Sequence, residues 1–353
     1  MVKLHQEDER GGDERGYDPK MPYHDALNYL AGKTSVIELF DQLGGRVAVC
    51  PEWNGRILTS TCEGLKGESF GCINVQAIDT GLFESYGGED HWTFSPAVHS
   101  FAVETLKEHK VVLQRTLPTT DAHGVSGEFH LSRSIFLLNR RNIETLFGDA
   151  VADSLERADV SAVSFRTENT VKSQEPARVA GRLRGMFNAS PNTAIILTTP
   201  PEDFDTGRSS VMIDYLGGAP HSRIRYLPQT MLIRGDGRRQ CQITLPFPDA
   251  PPLIGAIEIR FGTLTLWTYD LPNVSDNDLV RIYNSGRPHT AALDWATHYE
   301  INCFSAAQEL LPDQSLTYCQ STLHLNAGND VLDDLVRQIF DVSLEDISKK
   351  MLP

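Results

Sequence analysis

A chain of 353 residues with 32 basic and 47 acidic side chains carries a net charge of −15 at neutral pH. This charge repels phosphate backbones and anionic lipid surfaces, which argues against nucleic acid and membrane partners. The chain has no long apolar window for a membrane span, and its N-terminus has no signal-peptide centre, so the sequence predicts a cytoplasmic protein. Its six cysteines form no Cys-x-x-Cys pair, which predicts reduced thiols and neither a zinc nor a redox motif.

The N-terminal segment differs in composition from the rest of the chain. Its first twenty residues contain ten charged residues and few apolar ones, so burial cannot offset the entropy lost on ordering. We therefore predict a mobile charged tail over residues 1–22. A short helix is predicted from His24 to Ala31, before Gly32, and residues 23–353 are expected to form a single domain.

Brief apolar or alternating runs separated by turn residues then predict strands. The candidate strands cover residues 36–39, 46–50, 56–61, 111–117, 128–138, 160–169, 193–199, 240–247, 256–269, 298–304 and 315–325. A helix is expected over residues 139–147. From Asp330 an apolar residue recurs every three or four positions, which predicts an amphipathic helix, and Ser343 is a candidate N-cap for a last short helix. This pattern favours a β-sandwich or barrel, with the C-terminal helices covering a sheet.

Several segments in order resemble an uncharacterised β-sandwich family that we associate with the galactose mutarotase-like (aldose 1-epimerase-like) superfamily. These are WNGRILTST (53–61), ESFGCIN (68–74), YGGED (86–90), FRTEN (165–169), GMFNASPNT (185–193), RIRYLPQTMLIRGDG (223–237) and YEINCFSAAQELLPDQSLTYCQSTLHLNAG (299–328). The resemblance implies an all-β fold, a large antiparallel super-sandwich whose concave polar face binds a carbohydrate. It also implies that neither a cofactor nor a metal is needed.

Mutarotation of an aldose requires a base at the anomeric hydroxyl and an acid at the ring oxygen. In the superfamily that the chain resembles, a glutamate near the C-terminal end is the base and an upstream histidine is the acid. Glu300 is the candidate base, because alternation places it with His298 and Asn302 on one polar strand face. His91 is the first candidate acid, His324 is the second and His99 the third.

The remaining candidate residues would bind the sugar. Alternation predicts that Glu89 shares the ligand-facing side with His91, and that Asp90 lies opposite with Trp92, unless a bulge at Gly87 and Gly88 reverses this arrangement. Trp92 offers an indole platform for sugar C–H groups. Arg56 offers a fork of donors, and Asn169 offers both a donor and an acceptor.

Three functions remain open at this point. The first is a mutarotase-like isomerase that uses Glu300 with His91 or His324. The second is a non-catalytic sugar-binding or regulatory module, because His91, Trp92 and Thr93 stand where the family has Arg-Phe-Trp. The third, a cupin-type metal enzyme, is disfavoured because the chain contains no His-x-His.

Overall fold

The computed structural model describes residues 21–93, 98–120, 126–198, 212–214, 223–237, 240–246, 252–273, 278–284 and 297–352. Residues 1–20 of the predicted N-terminal tail lie outside the described residues. The helix predicted after that tail is present as α1 (Tyr23–Ala31).

Antiparallel strands make up most of the described chain. They are β1 (Ile37–Phe40), β2 (Arg46–Cys50), β3 (Arg56–Thr61), β4 (Gly88–Thr93), β5 (Ala102–Lys107), β6 (Lys110–Thr120), β7 (Ser126–Leu137), β8 (Ser161–Ser173), β9 (Ala177–Val179), β10 (Arg182–Asn188), β11 (Thr193–Thr198), β12 (Met212–Asp214), β13 (Ile224–Leu227), β14 (Thr230–Arg234), β15 (Cys241–Pro246), β16 (Leu253–Glu258), β17 (Thr263–Asp270), β18 (Leu279–Asn284), β19 (His298–Phe304), β20 (Gln308–Leu310) and β21 (Ser315–Asn326).

The strands form two large sheets and one small one. A nine-stranded sheet has the order β1-β2-β3-β4-β10-β19-β18-β15-β12. A ten-stranded sheet has the order β13-β14-β11-β16-β17-β21-β8-β7-β6-β5, and β20 pairs with β9. The predicted all-β super-sandwich is thereby confirmed.

The two large sheets enclose the main apolar core. Side chains from the facing sides of both sheets, such as Ile301 of β19 and Trp267 of β17, are completely buried there. Because side chains alternate along a strand, the neighbours of these core residues point to the outer faces. The polar side chains of β19 therefore lie on the outer face of the nine-stranded sheet.

Helices cover parts of both outer faces. The α-helices that follow α1 are α2 (Val75–Thr80), α3 (Arg140–Phe147), α4 (Asp149–Ser154), α5 (Asn329–Phe340) and α6 (Leu344–Met351). A second apolar cluster joins α3 to α6 with the outer face of the ten-stranded sheet, so the C-terminal helices cover a sheet as predicted. Ser343 caps α6 by accepting from the Asp346 amide at 3.0 Å. A third cluster joins α1 and α2 with β2 and β3.

The six cysteines are all free thiols, and all of them are buried. Their exposed fractions run from 0% to 8%. The predicted free thiols in strands or core are therefore confirmed.

Some strand predictions differ from the structure. The segment 256–269, predicted as one strand, contains the end of β16 and most of β17, because a turn at Gly262 with φ +65° separates them. Nine of the described strands have no counterpart among the predicted strands: β4, β5, β9, β10, β12, β13, β14, β18 and β20. Two of these, β4 and β10, lie at the centre of the nine-stranded sheet and carry much of the candidate site.

Candidate functional site

Nine polar or aromatic side chains form a continuous patch on the outer side of the nine-stranded sheet, which we call the polar face. Strand register places His91, Arg184, Asn302 and Arg281 in one row across β4, β10, β19 and β18. The full set is Arg56, His91, Arg182, Arg184, Arg281, Tyr283, His298, Glu300 and Asn302. Most are deeply buried, whereas Arg182, Arg281 and Tyr283 are half-buried.

Glu300 lies at the middle of the polar face. Its Oε1 accepts from Arg184 Nη2 at 2.7 Å and lies 3.1 Å from His298 Nε2. Its Oε2 accepts from Asn302 Nδ2 at 3.3 Å and lies 3.7 Å from Arg182 Nη2. Burial opposes ionisation, but the Arg184 charge and the His298 contact outweigh it and hold the pKa of Glu300 well below its usual range. Glu300 is therefore a carboxylate at neutral pH.

His298 is the protonated partner of that carboxylate. Burial disfavours its charged form, but hydrogen bonds with Cys72 and Glu300 outweigh burial and raise the pKa of His298 to about 10. As predicted, His298, Glu300 and Asn302 share one face of β19. A carboxylate and an imidazolium thus lie side by side.

His91 lies on the polar face but is not protonated. Burial, together with the charges of Arg56 and Arg184, keeps the pKa of His91 well below its usual value. Its Nε2 is 3.0 Å from Arg56 Nη2. Because a guanidinium only donates, Nε2 is the acceptor and the proton of the neutral ring is on Nδ1. His91 is therefore poorly suited to the predicted role of acid.

Arg56 is completely buried beneath the polar face. Its Nη1 donates to the Gly87 carbonyl at 2.9 Å, and its guanidinium lies 4.3 Å from the centre of the Phe83 ring. These contacts place it as a support for His91, with no exposed surface for a ligand.

A bulge in β4 changes the predicted sides of Glu89 and Asp90. Arg184 pairs with His91 and Met186 with Gly88, so β4 contains one residue more than β10 between these pairs. Gly87 and Gly88 have φ of +96° and +109°, in the region that favours glycine. As a result both acids turn between the sheets, and the prediction that Glu89 shares the side of His91 is wrong.

His324 and Asn169 also lie between the sheets. Glu89 Oε2 lies 2.7 Å from His324 Nε2 and accepts from Ser60 Oγ at 2.8 Å. Asn169 Oδ1 accepts from Arg133 Nη1 at 2.6 Å. The side chains of Glu89, Asn169 and His324 have no or almost no exposed surface, so these residues lie outside the polar face. The roles of Glu89 and Asn169 in ligand binding and of His324 as the acid stay predictions. Strand alternation correctly groups Gln320, Thr322 and His324, but their face is the interior one.

Trp92 and His99 likewise lie away from the polar face. Trp92 is 3% exposed and belongs to the core between the sheets, so its predicted role as a sugar platform is not supported. His99 lies beside the turn at Asn54, whose Oδ1 accepts from the His99 amide at 2.5 Å. Of the predicted site residues, the structure thus brings Glu300, His91 and Arg56 together.

The sequence interpretation missed Arg182 and Arg184. They alternate with Leu183 in RLRGMFN, residues 182–188, where Leu183 and Phe187 face the core. This period-two pattern is a signal for a strand with one polar face, although Gly185 interrupts it. The same pattern gives Arg281 and Tyr283 in LVRIYN, residues 279–284.

The described residues contain no group of three or more His, Cys, Asp or Glu side chains arranged to hold a metal ion. A cavity of about 20 Å³ lies beside Phe187, Thr265 and Tyr299, which is room for about one water molecule and too little for a sugar. Within the described ranges, no helix is long and apolar enough to cross a membrane. The cytoplasmic location stays a prediction.

A family model described as a family of unknown function (DUF6786) matches residues 21–103 and 91–351. No curated protein is significantly similar to the chain in sequence.

Solved structures share the fold at low sequence identity. A protein from Escherichia coli K12 designated a candidate aldose 1-epimerase is 10% identical, with a TM-score of 0.51 over 83% of this chain and 99% of its own. An aldose epimerase homologue from C. elegans is 9% identical, with a TM-score of 0.51 over 84% and 100% of the two chains. A protein from Synechocystis sp. PCC 6803 is 11% identical, with a TM-score of 0.50 over 83% and 96%. The fold is therefore galactose mutarotase-like.

Proposed function

The chain belongs to the DUF6786 family of unknown function, and we propose that it binds a carbohydrate on the polar face of its nine-stranded sheet. The observation that carries this proposal is the arrangement around Glu300, whose carboxylate oxygens lie within 3.7 Å of the Asn302 amide and of the Arg182 and Arg184 guanidiniums. Sugar hydroxyls both donate and accept, so they suit a surface that offers both functions side by side.

The composition of the polar face and the shared fold support this ligand class. Half-buried Tyr283 adds an aromatic surface and a hydroxyl, whose oxygen accepts from Gln240 Nε2 at 2.9 Å. Two proteins with the same fold are named for aldose epimerase chemistry. Arg182, Asn302 and Glu300 are the proposed ligand-binding residues, and Arg56 and His91 support them from below.

Binding without rapid turnover fits the protonation states better than catalysis does. A general base and a general acid work best when their pKa values lie near the working pH. The pKa of Glu300 lies well below that range, and the pKa of His298 is about 10. The pair is therefore a stable ion pair in the protein without ligand.

A mutarotase-like isomerase is the second candidate, and the adjacency of Glu300 and His298 favours it. A ligand hydroxyl inserted between Oε1 and Nε2, now 3.1 Å apart, would weaken the ion pair and bring both pKa values closer to neutrality. Glu300 would then accept the proton of the anomeric hydroxyl, and His298 would donate one to the ring oxygen. This assigns the acid role to His298 in place of His91 or His324.

Calorimetric titration of the full chain with a panel of aldoses and acidic sugars tests binding. We expect Glu300→Gln to weaken the binding of a recognised sugar by about tenfold or more, because hydrogen bonds to charged groups contribute about 1.5–3 kcal/mol. Glu168→Gln is the matched control, since Glu168 is a half-exposed carboxylate on β8 of the other sheet. If wild type and a folded Glu300→Gln variant bind the sugar with equal affinity, the proposed site is wrong.

Anomer exchange followed by NMR separates the two candidates. Exchange at the uncatalysed rate for every sugar that binds supports the binding protein. Exchange that is faster with wild type, and returns to background in both Glu300→Gln and His298→Gln, supports the isomerase. Acceleration that survives both substitutions would contradict the assigned acid and base.

A further inference from the structure

The polar face concentrates positive charge in a chain whose overall charge is −15. Four guanidiniums, those of Arg56, Arg182, Arg184 and Arg281, and the protonated His298 line it. Among the described residues, the carboxylates within ion-pair distance of these groups are Glu300 and the half-exposed Glu84, which lies 3.6 Å from Arg184. Two negative charges therefore face five positive ones.

Burial and the neighbouring positive charges both act on the arginines of the polar face. Burial, followed by repulsion from Arg184, lowers the pKa of Arg182 to about 10 and that of Arg56 to about 9. Within the described ranges, the Nε atoms of Arg56, Arg184 and Arg281 are buried and have no hydrogen-bond partner. A bound anion beside Arg281 would offset the positive charge and offer an acceptor to the Nε of Arg281.

Two of these arginines are placed to contact a ligand from outside. The guanidinium of Arg182 lies 5.2 Å, and that of Arg281 4.9 Å, from the centre of the Phe304 ring, so the two converge on one half-buried aromatic side chain. Arg182 keeps 27% of its side chain exposed. Arg281 is also half-buried, and no carboxylate among the described residues pairs with it.

On the basis of the proposed function, we propose that the ligand is an acidic sugar whose anionic group lies between Arg182 and Arg281, over Phe304. The hydroxyls of its ring then face Asn302, Glu300 and Tyr283. Register supports this layout, because Arg281 lies opposite Asn302 on β18 and Arg182 lies opposite Phe304 on β10. The Arg182 guanidinium also donates to Asn302 Oδ1, from Nη2 at 2.7 Å and from Nε at 3.0 Å. The shared chemistry is a sugar with a carboxylate or a phosphate.

Titration calorimetry with matched ligands tests the inference: galactose and glucose as neutral sugars, their uronates, glucose 6-phosphate, and inorganic phosphate alone. We expect one class of acidic sugar to bind about tenfold or more tightly than its neutral counterpart, as charge-assisted hydrogen bonds imply. Added salt is expected to weaken the acidic ligand more than the neutral one. The uronate and phosphate arms identify which anionic group is recognised.

Variants of Arg281 locate the anionic group. We expect Arg281→Gln to weaken the binding of the acidic sugar more than that of its neutral counterpart and so to remove most of the preference for the acidic sugar, whereas Arg281→Lys restores part of that preference. Arg141→Gln, at an exposed position of α3, is the control that leaves both affinities unchanged. Each variant is first checked for a wild-type unfolding transition.

The outcomes separate this inference from the proposed function. If neutral and acidic sugars bind with equal affinity, the inference that the ligand is acidic is wrong, whereas the proposed carbohydrate binding stands. Inorganic phosphate as tight as glucose 6-phosphate would overturn sugar recognition and leave an anion site. An acidic preference that Arg281→Gln does not reduce would overturn the assigned position, and the absence of any binding would overturn both proposals.

Discussion

At the scale of single residues, His298 illustrates how a buried histidine is kept charged. Its imidazole loses hydration, which favours the neutral form, yet hydrogen bonds with Cys72 and Glu300 more than compensate. The folded pKa of about 10 lies above the ordinary value of 6.5. Protonation of His298 is therefore coupled to folding, and it contributes stability that depends on pH.

Replacement of His298 tests this coupling. Because the folded pKa is raised, the stabilisation is fully present below about pH 6.5 and is lost as pH rises through about 10. We expect the difference in unfolding free energy between wild type and His298→Gln, measured by urea titration, to shrink over that interval. His109→Gln, on an exposed turn, is the control. A difference that stays constant or grows with pH would argue against a protonated His298.

The structure brings the predicted residues Glu300, His91 and Arg56 together on the polar face. Two other predicted site residues, Glu89 and His324, lie between the sheets. Alternation groups residues that share a strand face, but it does not say which face is covered. On β21 the outer face carries Leu323 and Leu325, which pack under the C-terminal helices, and the polar side faces the interior. Polar strand faces usually contact solvent, but here the apolar face of β21 is covered by helices and its polar face is buried between the sheets. This arrangement can be recognised only once the positions of both sheets are known.

At the scale of elements, the β4 bulge decides which acids belong to which side. Gly87 lies so close to β-bridge partners that a Cβ atom built on it would be 1.8 Å from the Cys72 carbonyl oxygen. That same oxygen accepts a hydrogen bond from the Gly88 amide at 2.9 Å. The glycines therefore allow a close approach as well as positive φ angles.

Gly87→Ala should destabilise the protein strongly. Overpacking costs about 1–3 kcal/mol, and an L-residue in the left-handed region costs about 1–2 kcal/mol more. Gly81→Ala is a matched control, because Gly81 has φ +75° but nothing within 4 Å of its built Cβ. We expect chemical denaturation to show a loss for Gly87→Ala at least about 1 kcal/mol larger than for Gly81→Ala. Equal losses of unfolding free energy in the two variants would mean that the backbone at Cys72 can shift at little energetic cost.

The terminal helices were predictable because their signals are local. Periodic apolar residues and a Ser343 N-cap define α5 and α6 within a few residues of the observed bounds. The bulge and the rows of the polar face depend on which strands become neighbours, such as β4 and β10, which are about ninety residues apart in the chain. Local patterns carry no information on such pairings.

At the scale of the whole molecule, buried charges join the two large sheets. Asp90 of β4 pairs with Arg133 of β7, and both side chains are completely buried. Arg133 also donates to the Gly55 carbonyl at 2.9 Å, and Thr167 donates to Asp90 at 2.7 Å. The two sheets therefore share one polar network within an apolar core, which supports their unfolding as one unit.

Asp90→Asn tests this connection and the predicted single domain. Leaving Arg133 charged and unpaired should cost about 3–5 kcal/mol of unfolding free energy. The control Asp153→Asn breaks an exposed pair with Arg140 and should cost less than about 1 kcal/mol. Urea unfolding followed by tryptophan fluorescence and by circular dichroism should give coincident transitions. Separate transitions would contradict joint unfolding of the sheets. A loss of unfolding free energy equal to that of the control would contradict the stabilising role of the buried pair between Asp90 and Arg133.

Because every cysteine is buried, the reactivity of each thiol reports local unfolding of the structure around it. The six thiols lie on β2, β15, β19 and β21, directly after β3 and in the segment before α2, so they sample both sheets. A thiol-reactive dye can reach them only when the surrounding structure opens. The order in which the six positions become labelled under native conditions would therefore map the regional stability of the sandwich without any engineered probe.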